Sequence, residues 1–149
     1  MNKMFEEDPK LIELANEVIL ERKLDYLNPV SIRYVLVDPY ISKTVVGKCV
    51  RANAELRHFG ECDYLIEFSR NIWESIDDVT RKIVMYHELL HILIKTGAKG
   101  NTIFSILDHD VKDFRSILTH FGVDWFTEVK DIVTSTNELE GAEVDSVTL

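Results

Sequence analysis

Two histidines stand four residues apart in the segment His87-Glu88-Leu89-Leu90-His91, with a glutamate directly after the first. On a helix that spacing puts both imidazoles on one face, one turn apart. Two ring nitrogens so placed can grip one Zn2+ at ~2.0–2.1 Å. Glu88 is turned by about 100° from His87. It is therefore a poor ligand for the same ion, but it can reach a water bound there. Zinc draws the pKa of such a water towards ~7, and a carboxylate beside it can take the proton. These residue types at this spacing form the HExxH pattern of metal-dependent hydrolysis. The plain alternative is a polar stripe on a packed helix, satisfied by its neighbours. Ile83, Val84, Met85, Leu89, Leu90, Ile92, Leu93 and Ile94 weigh against it, because they leave the segment almost no polar face. Two histidines and a glutamate buried together are costly unless paired or metal-bound.

A catalytic zinc site needs a third protein ligand and keeps one position open. Downstream, Asp108, His109, Asp110 and His120 are the candidates. His109 follows His91 by enough chain for a turn, a loop and a return. Asp110 suits the N-cap of a following helix, with Asp113 three positions on to support it. His120 shares a polar face with Asp113 and Ser116, where a surface role is the simpler one. His109 is therefore the expected third ligand, with Asp108 or Asp110 placed to orient a ligand from behind. Tyr64, Tyr86 and His120 are each able to stabilise an oxyanion, although core packing is the simpler use of Tyr64. Cys49, His58 and Cys62 match no standard metal spacing and read as strand and loop residues.

The elements that must hold this site can be read around it. Asp8-Pro9 is an N-cap followed by proline at the first helical position, and apolar residues then recur at helical spacing to about Leu27. Three strand-like runs follow, Ser31 to Val37, Val45 to Ala52 and Cys62 to Ser69, the last with Tyr64, Ile66 and Phe68 on one face. The stretch Asn53 to Glu61 between the last two suits a hairpin with a long loop. The motif helix is expected from about Asp78 to Thr96, capped by Asp77 or Asp78 and ended by Gly97 in the left-handed conformation. A helix so apolar is a buried one. Two further helices are expected, one after Asp110 with Val111, Phe114, Ile117, Leu118 and Phe121 inward, the other after Asp124.

The 149 residues suit one domain with a real core. Residues 1–133 are expected to form it, and residues 134–149 a disordered acidic tail. The formal charge is −9, and no basic face of the kind that phosphate backbones require is evident, which disfavours a nucleic-acid partner. No run approaches the ~18 apolar residues of a membrane helix, and the acidic N-terminus lacks the apolar core of a secretory signal. A cytoplasmic location is expected. The acidic surface makes a basic or extended unstructured polypeptide the natural substrate to try.

At this point the residues resemble a family. HELLH followed by His109-Asp110-Val111-Lys112-Asp113-Phe114, with Trp73 upstream of the motif helix, is similar to the zincins of the phage metallopeptidase family and, more distantly, to SprT-like proteins. The resemblance covers about residues 10–125. It implies one zinc per chain on His87, His91 and His109, Glu88 as general base, and a compact α+β zincin-like fold. In that fold a small mixed sheet packs on the motif helix. It also implies a phage or prophage origin, and so the cytoplasm of the host. SprT-like enzymes usually carry extra DNA-binding or zinc-ribbon parts, which this chain lacks, so that role is not carried over. Peptide deformylases pair an HExxH helix with an upstream cysteine ligand, but their glycine-rich motif is missing around Cys62. The metzincin run HExxHxxGxxH is missing too. The expected function is hydrolysis of a peptide bond by a metal-activated water. A zinc-stabilised protein that binds a host partner without cleaving it is the alternative.

Overall fold

The computed structural model describes residues 2–107. The helices expected after Asp110 and Asp124, the acidic tail, and Asp108, His109, Asp110 and His120 all lie outside the described residues. No helix among the described residues is long and apolar enough to cross a membrane.

The chain opens with a short strand β1 (Met4–Glu6) and helix α1 (Pro9–Glu21). Asp8 caps α1 by accepting a hydrogen bond from the Lys10 amide, 3.0 Å. Leu11, Ala15 and Val18 form its buried stripe. The helix stops at Glu21, six residues before the expected end at Leu27, and Asp25–Leu27 forms a separate 3-10 turn. Lys23 causes the stop, with φ of 56° in the left-handed region. The Leu24 amide reaches back to the Ile19 carbonyl at 2.9 Å, and the Lys23 amide reaches the Leu20 carbonyl at 3.4 Å. That pair of bonds is the Schellman closure, which usually employs glycine at the position Lys23 holds.

Strands β2 (Ile32–Asp38), β3 (Gly47–Arg51) and β4 (Tyr64–Ser69) appear where the β-branched and aromatic runs place them. The sheet order is β1-β2-β4-β3. β1 is antiparallel to β2, β2 parallel to β4, and β3 antiparallel to β4, so the sheet is mixed, as expected. Between β3 and β4 the chain forms a helix, α2 (Ala54–Gly60), where a loop was expected. The Asn53 side chain caps it at the Leu56 amide, 2.8 Å, and Glu61 ends it with φ of 51°. Tyr64, Ile66 and Phe68 are fully buried on one face of β4, where helices and sheet meet in a single core.

After a short helix α3 (Arg70–Trp73), helix α4 (Asp78–Leu90) carries the motif. Asp77 caps it through the Thr80 amide, 2.8 Å. Trp73 anchors its start: the indole stacks on Phe68 with centroids 4.3 Å apart, and the Arg81 side chain donates to the Trp73 carbonyl at 2.9 Å. Lys82 ties α4 to α1 through Glu17 and Glu21 at 2.9 and 3.1 Å.

The motif helix is shorter than expected. It ends at Leu90 with His91 as its cap, and Ile92–Thr96 forms strand β5, paired antiparallel with β6 (Thr102–Ile106). A continuous apolar run reads alike as buried helix or buried strand, and here the β-branched residues find partners across a hairpin. The left-handed glycine is Gly100, with φ of 78°, in the β5–β6 turn, and not Gly97. The Tyr64 hydroxyl donates to the Ser105 carbonyl at 2.8 Å and lies 3.2 Å from that of Leu93. One buried phenol thus fastens the hairpin to the sheet, as its expected packing role requires. The α+β reading holds for the described residues.

Candidate metal centre

The end of α4 and the end of β6 meet at His91. The Leu107 amide donates to the His91 carbonyl at 2.7 Å. The His91 ring returns the contact, with Nδ1 2.5 Å from the Leu107 carbonyl oxygen. A carbonyl can only accept, so Nδ1 carries the proton, and in the neutral ring the lone pair is on Nε2. This is the arrangement that fixes a metal-binding imidazole from behind. Nε2 of His91 lies 3.2 Å from Nε2 of His87. Both side chains are buried, at 6% and 5% exposure, and Glu88 is wholly buried.

The donor set fits a zinc ion. Two nitrogens bound tetrahedrally at ~2.0–2.1 Å lie about 3.3 Å apart, close to the spacing of the two rings. One carboxylate oxygen of Glu88 and one nitrogen of each histidine all lie within 4.8 Å of one another. Glu88 thus stands near enough to serve a water held beside both rings. His87, Glu88 and His91 form the one such group of potential ligands among the described residues. Cys49, His58 and Cys62 do not assemble into a second one.

Sequence reasoning placed a strand at Val45 to Ala52 but passed over its approach to Glu88. Gly47, at the start of β3, backs directly onto the carboxylate. A Cβ there would come within 3.1 Å of Glu88 Oε1 and 3.1 Å of the Phe68 ring. A lone glycine inside a strand marks such a close approach, and that was the available signal. Cys49, two residues along on the same face, is half-buried. Burial first, and then the negative charge of Glu88, push its thiol well above the usual cysteine range. Cys62 is buried just before β4, where Arg33, Asp63 and Glu7 supply the charges it feels. It is no part of the histidine site. Tyr86 sits under the Arg22 guanidinium at 5.6 Å, towards α1, and Tyr64 is committed to the hairpin.

Leu107 is the last described residue, and it touches His91 with both its amide and its carbonyl. His109 follows two residues later in the chain.

Three comparisons bear on this geometry. The model of the family described as "Putative phage metallopeptidase" matches residues 3–137. Searches of curated proteins and of solved structures find no match.

Proposed function

The chain belongs to the phage metallopeptidase family, and from that premise we propose that it is a zinc-dependent peptidase of the HExxH type. Family membership implies a metal and a protein or peptide substrate. The observation that carries the finer reading is the 3.2 Å approach of the two Nε2 atoms, with the His91 ring anchored at Nδ1 by the Leu107 carbonyl. His87 and His91 would hold the ion, with His109 as the third ligand. Leu107 is bonded to His91 and His109 follows it by two residues in the chain, which favours His109.

Zinc at this position would polarise the scissile carbonyl and acidify the attacking water. Glu88 would serve as the base beside that water and pass the proton to the leaving amine. Its burial suits this work, because a desolvated carboxylate has little competing hydration. Gly47 leaves room for the carboxylate between strand and helix. Strand β4 has β2 on one side and β3 on the other, so an extended substrate cannot pair with β4. Among the described residues the unpaired edge near the motif is that of β3, whose first residue lies against Glu88.

The test is removal and return of the metal. Protein stripped with a chelator should lose hydrolysis of an unfolded polypeptide and regain it with one equivalent of zinc. His87→Ala and His91→Ala should retain no stoichiometric zinc in elemental analysis. Full hydrolysis by the stripped protein, or wild-type protein that takes up no zinc when offered it, would sink the proposal.

A further inference from the structure

The backbone of β3 has a direction that can be worked out. The Ser69 amide donates to the Val46 carbonyl, and the Ala52 amide donates to the Asp63 carbonyl, each at 2.9 Å. Alternation in an antiparallel ladder then turns Lys48 and Val50 towards β4 as well. The amides and carbonyls of Gly47, Cys49 and Arg51 therefore point away from β4. Among the described residues no strand pairs with them. The open row begins at Glu88 and ends at Arg51, about 13 Å on at ~3.3 Å per residue.

At that far end lies a cleft of about 330 Å³, lined by Arg51, Asn53, Arg57, Thr102 and Phe104 among others. The two arginines are exposed. Arg51 donates one hydrogen bond, to the Phe104 carbonyl at 3.1 Å, and is in no ion pair with a carboxylate of the described residues. Four of its five N–H groups thus lack a bond to the described residues. Arg57 lies over the Phe104 ring at 5.0 Å and is 3.7 Å from Asp63. Lys48, on the other face, stands opposite Glu67, which offsets its charge. Residues 47–51 carry two cations and no acid.

We propose that the open edge of β3 and the Arg51–Arg57 cleft together bind an extended peptide bearing an acidic side chain. The peptide adds a strand to β3 through the outward groups of Gly47, Cys49 and Arg51. A glutamate or aspartate of the peptide enters the cleft about four residues from the segment beside Glu88. The arginines supply the fork geometry that carboxylates accept. The net charge of −9 disfavours an acidic partner at long range, so selection is made by contact in the cleft. This rests on the peptidase reading and names the substrate class of the same site.

The test uses short fluorescein-labelled peptides of serine, threonine and valine, with a single Glu, Gln or Lys stepped along them. Binding is read by fluorescence anisotropy on the zinc-loaded full chain carrying Glu88→Gln, which keeps cleavage out of the measurement. Glu should bind about twofold to fivefold tighter than Lys at one position, the range expected of exposed charge pairs. Adding Arg51→Gln, which leaves Arg57 on Phe104 and Asp63, should cut that preference to less than half. Adding Arg57→Gln as well should abolish it, with the Gln peptide bound as before. Equal affinities at every position, a preference that survives in the double variant, or no binding at all would overturn the proposal. So would displacement of the Glu peptide by a short oligothymidylate, which would assign the arginines to phosphate. Cleavage by the wild type separates the two readings. Selective binding with no peptide ever cut would count against the peptidase and leave this proposal standing. Cutting of Glu, Gln and Lys peptides at equal rates would do the reverse.

Discussion

Glu88 is held in place by what is missing beside it. Gly47 has no side chain, and Glu88 Oε1 and the Phe68 ring close in on the position a Cβ would take. Gly47→Ala brings a methyl to 3.1 Å from both, so the neighbours must yield by a few tenths of an ångström. Gly47→Val cannot be met that way. It should cost about 1–3 kcal/mol by overpacking, read in urea melts, and should lower hydrolysis more than zinc content. A Val variant with wild-type stability and activity would remove Gly47 from the account. The third ligand is a second question at this scale. His109→Ala should weaken zinc binding strongly, while His120→Ala should leave it nearly unchanged, as measured by competition with a chromogenic chelator. The reverse pattern would show that the chain returns to His91 with a different residue. The triad of His87, Glu88 and His91 was legible in the sequence because helical spacing alone brings them together. Gly47 and Cys49 were not, because their nearness to Glu88 depends on which edge of the sheet passes over α4.

The ends of the elements show where local sequence signals run out. Asp8, Asn53 and Asp77 cap helices α1, α2 and α4 with their side chains, and two of these, Asp8 and Asp77, were readable as caps. The end of α1 was not, since a lysine occupies the left-handed slot of its closure. A side chain there costs roughly 1–2 kcal/mol that glycine avoids. Lys23→Gly should therefore stabilise the protein, by about 0.5–1 kcal/mol once the greater freedom of glycine in the unfolded chain is subtracted. A thermal melt checks it, and destabilisation would mean that Lys23 does more than end the helix. The end of α4 was misjudged for another reason. Ile92, Leu93 and Ile94 continue the apolar run of the helix, and only pairing with Thr102–Ile106 makes them a strand. That change of conformation matters for the site, because it leaves His91 at the helix end with its carbonyl turned to Leu107.

Across the molecule, the sheet provides a floor and α4 is laid on it. Phe68, Ile66 and Tyr64 line that floor without exposure, and their alternation in the sequence predicted it. The strand order β1-β2-β4-β3 was beyond reach, since the parallel pairing of β2 with β4 is fixed by packing and not by any turn. The three exposed residues of β1 carry no pattern at all. The same order decides function on this account. It buries β4, leaves β3 at the edge, and brings Gly47 to Glu88, so that an extended substrate and the base meet on one strand.

Glu88 separates an enzyme from a binding protein, and Glu88→Gln keeps the shape of the side chain while removing its basicity. The measurement is the rate of cleavage of an unfolded polypeptide by wild type and Glu88→Gln, compared at equal zinc occupancy and followed by mass spectrometry. General-base assistance is typically worth ~10²–10⁴ in rate. The account predicts a loss of that size, with zinc content and melting temperature unchanged. Cleavage by the variant at the wild-type rate would contradict it, as would a wild-type protein that binds its partner as Glu88→Gln does and never cuts it.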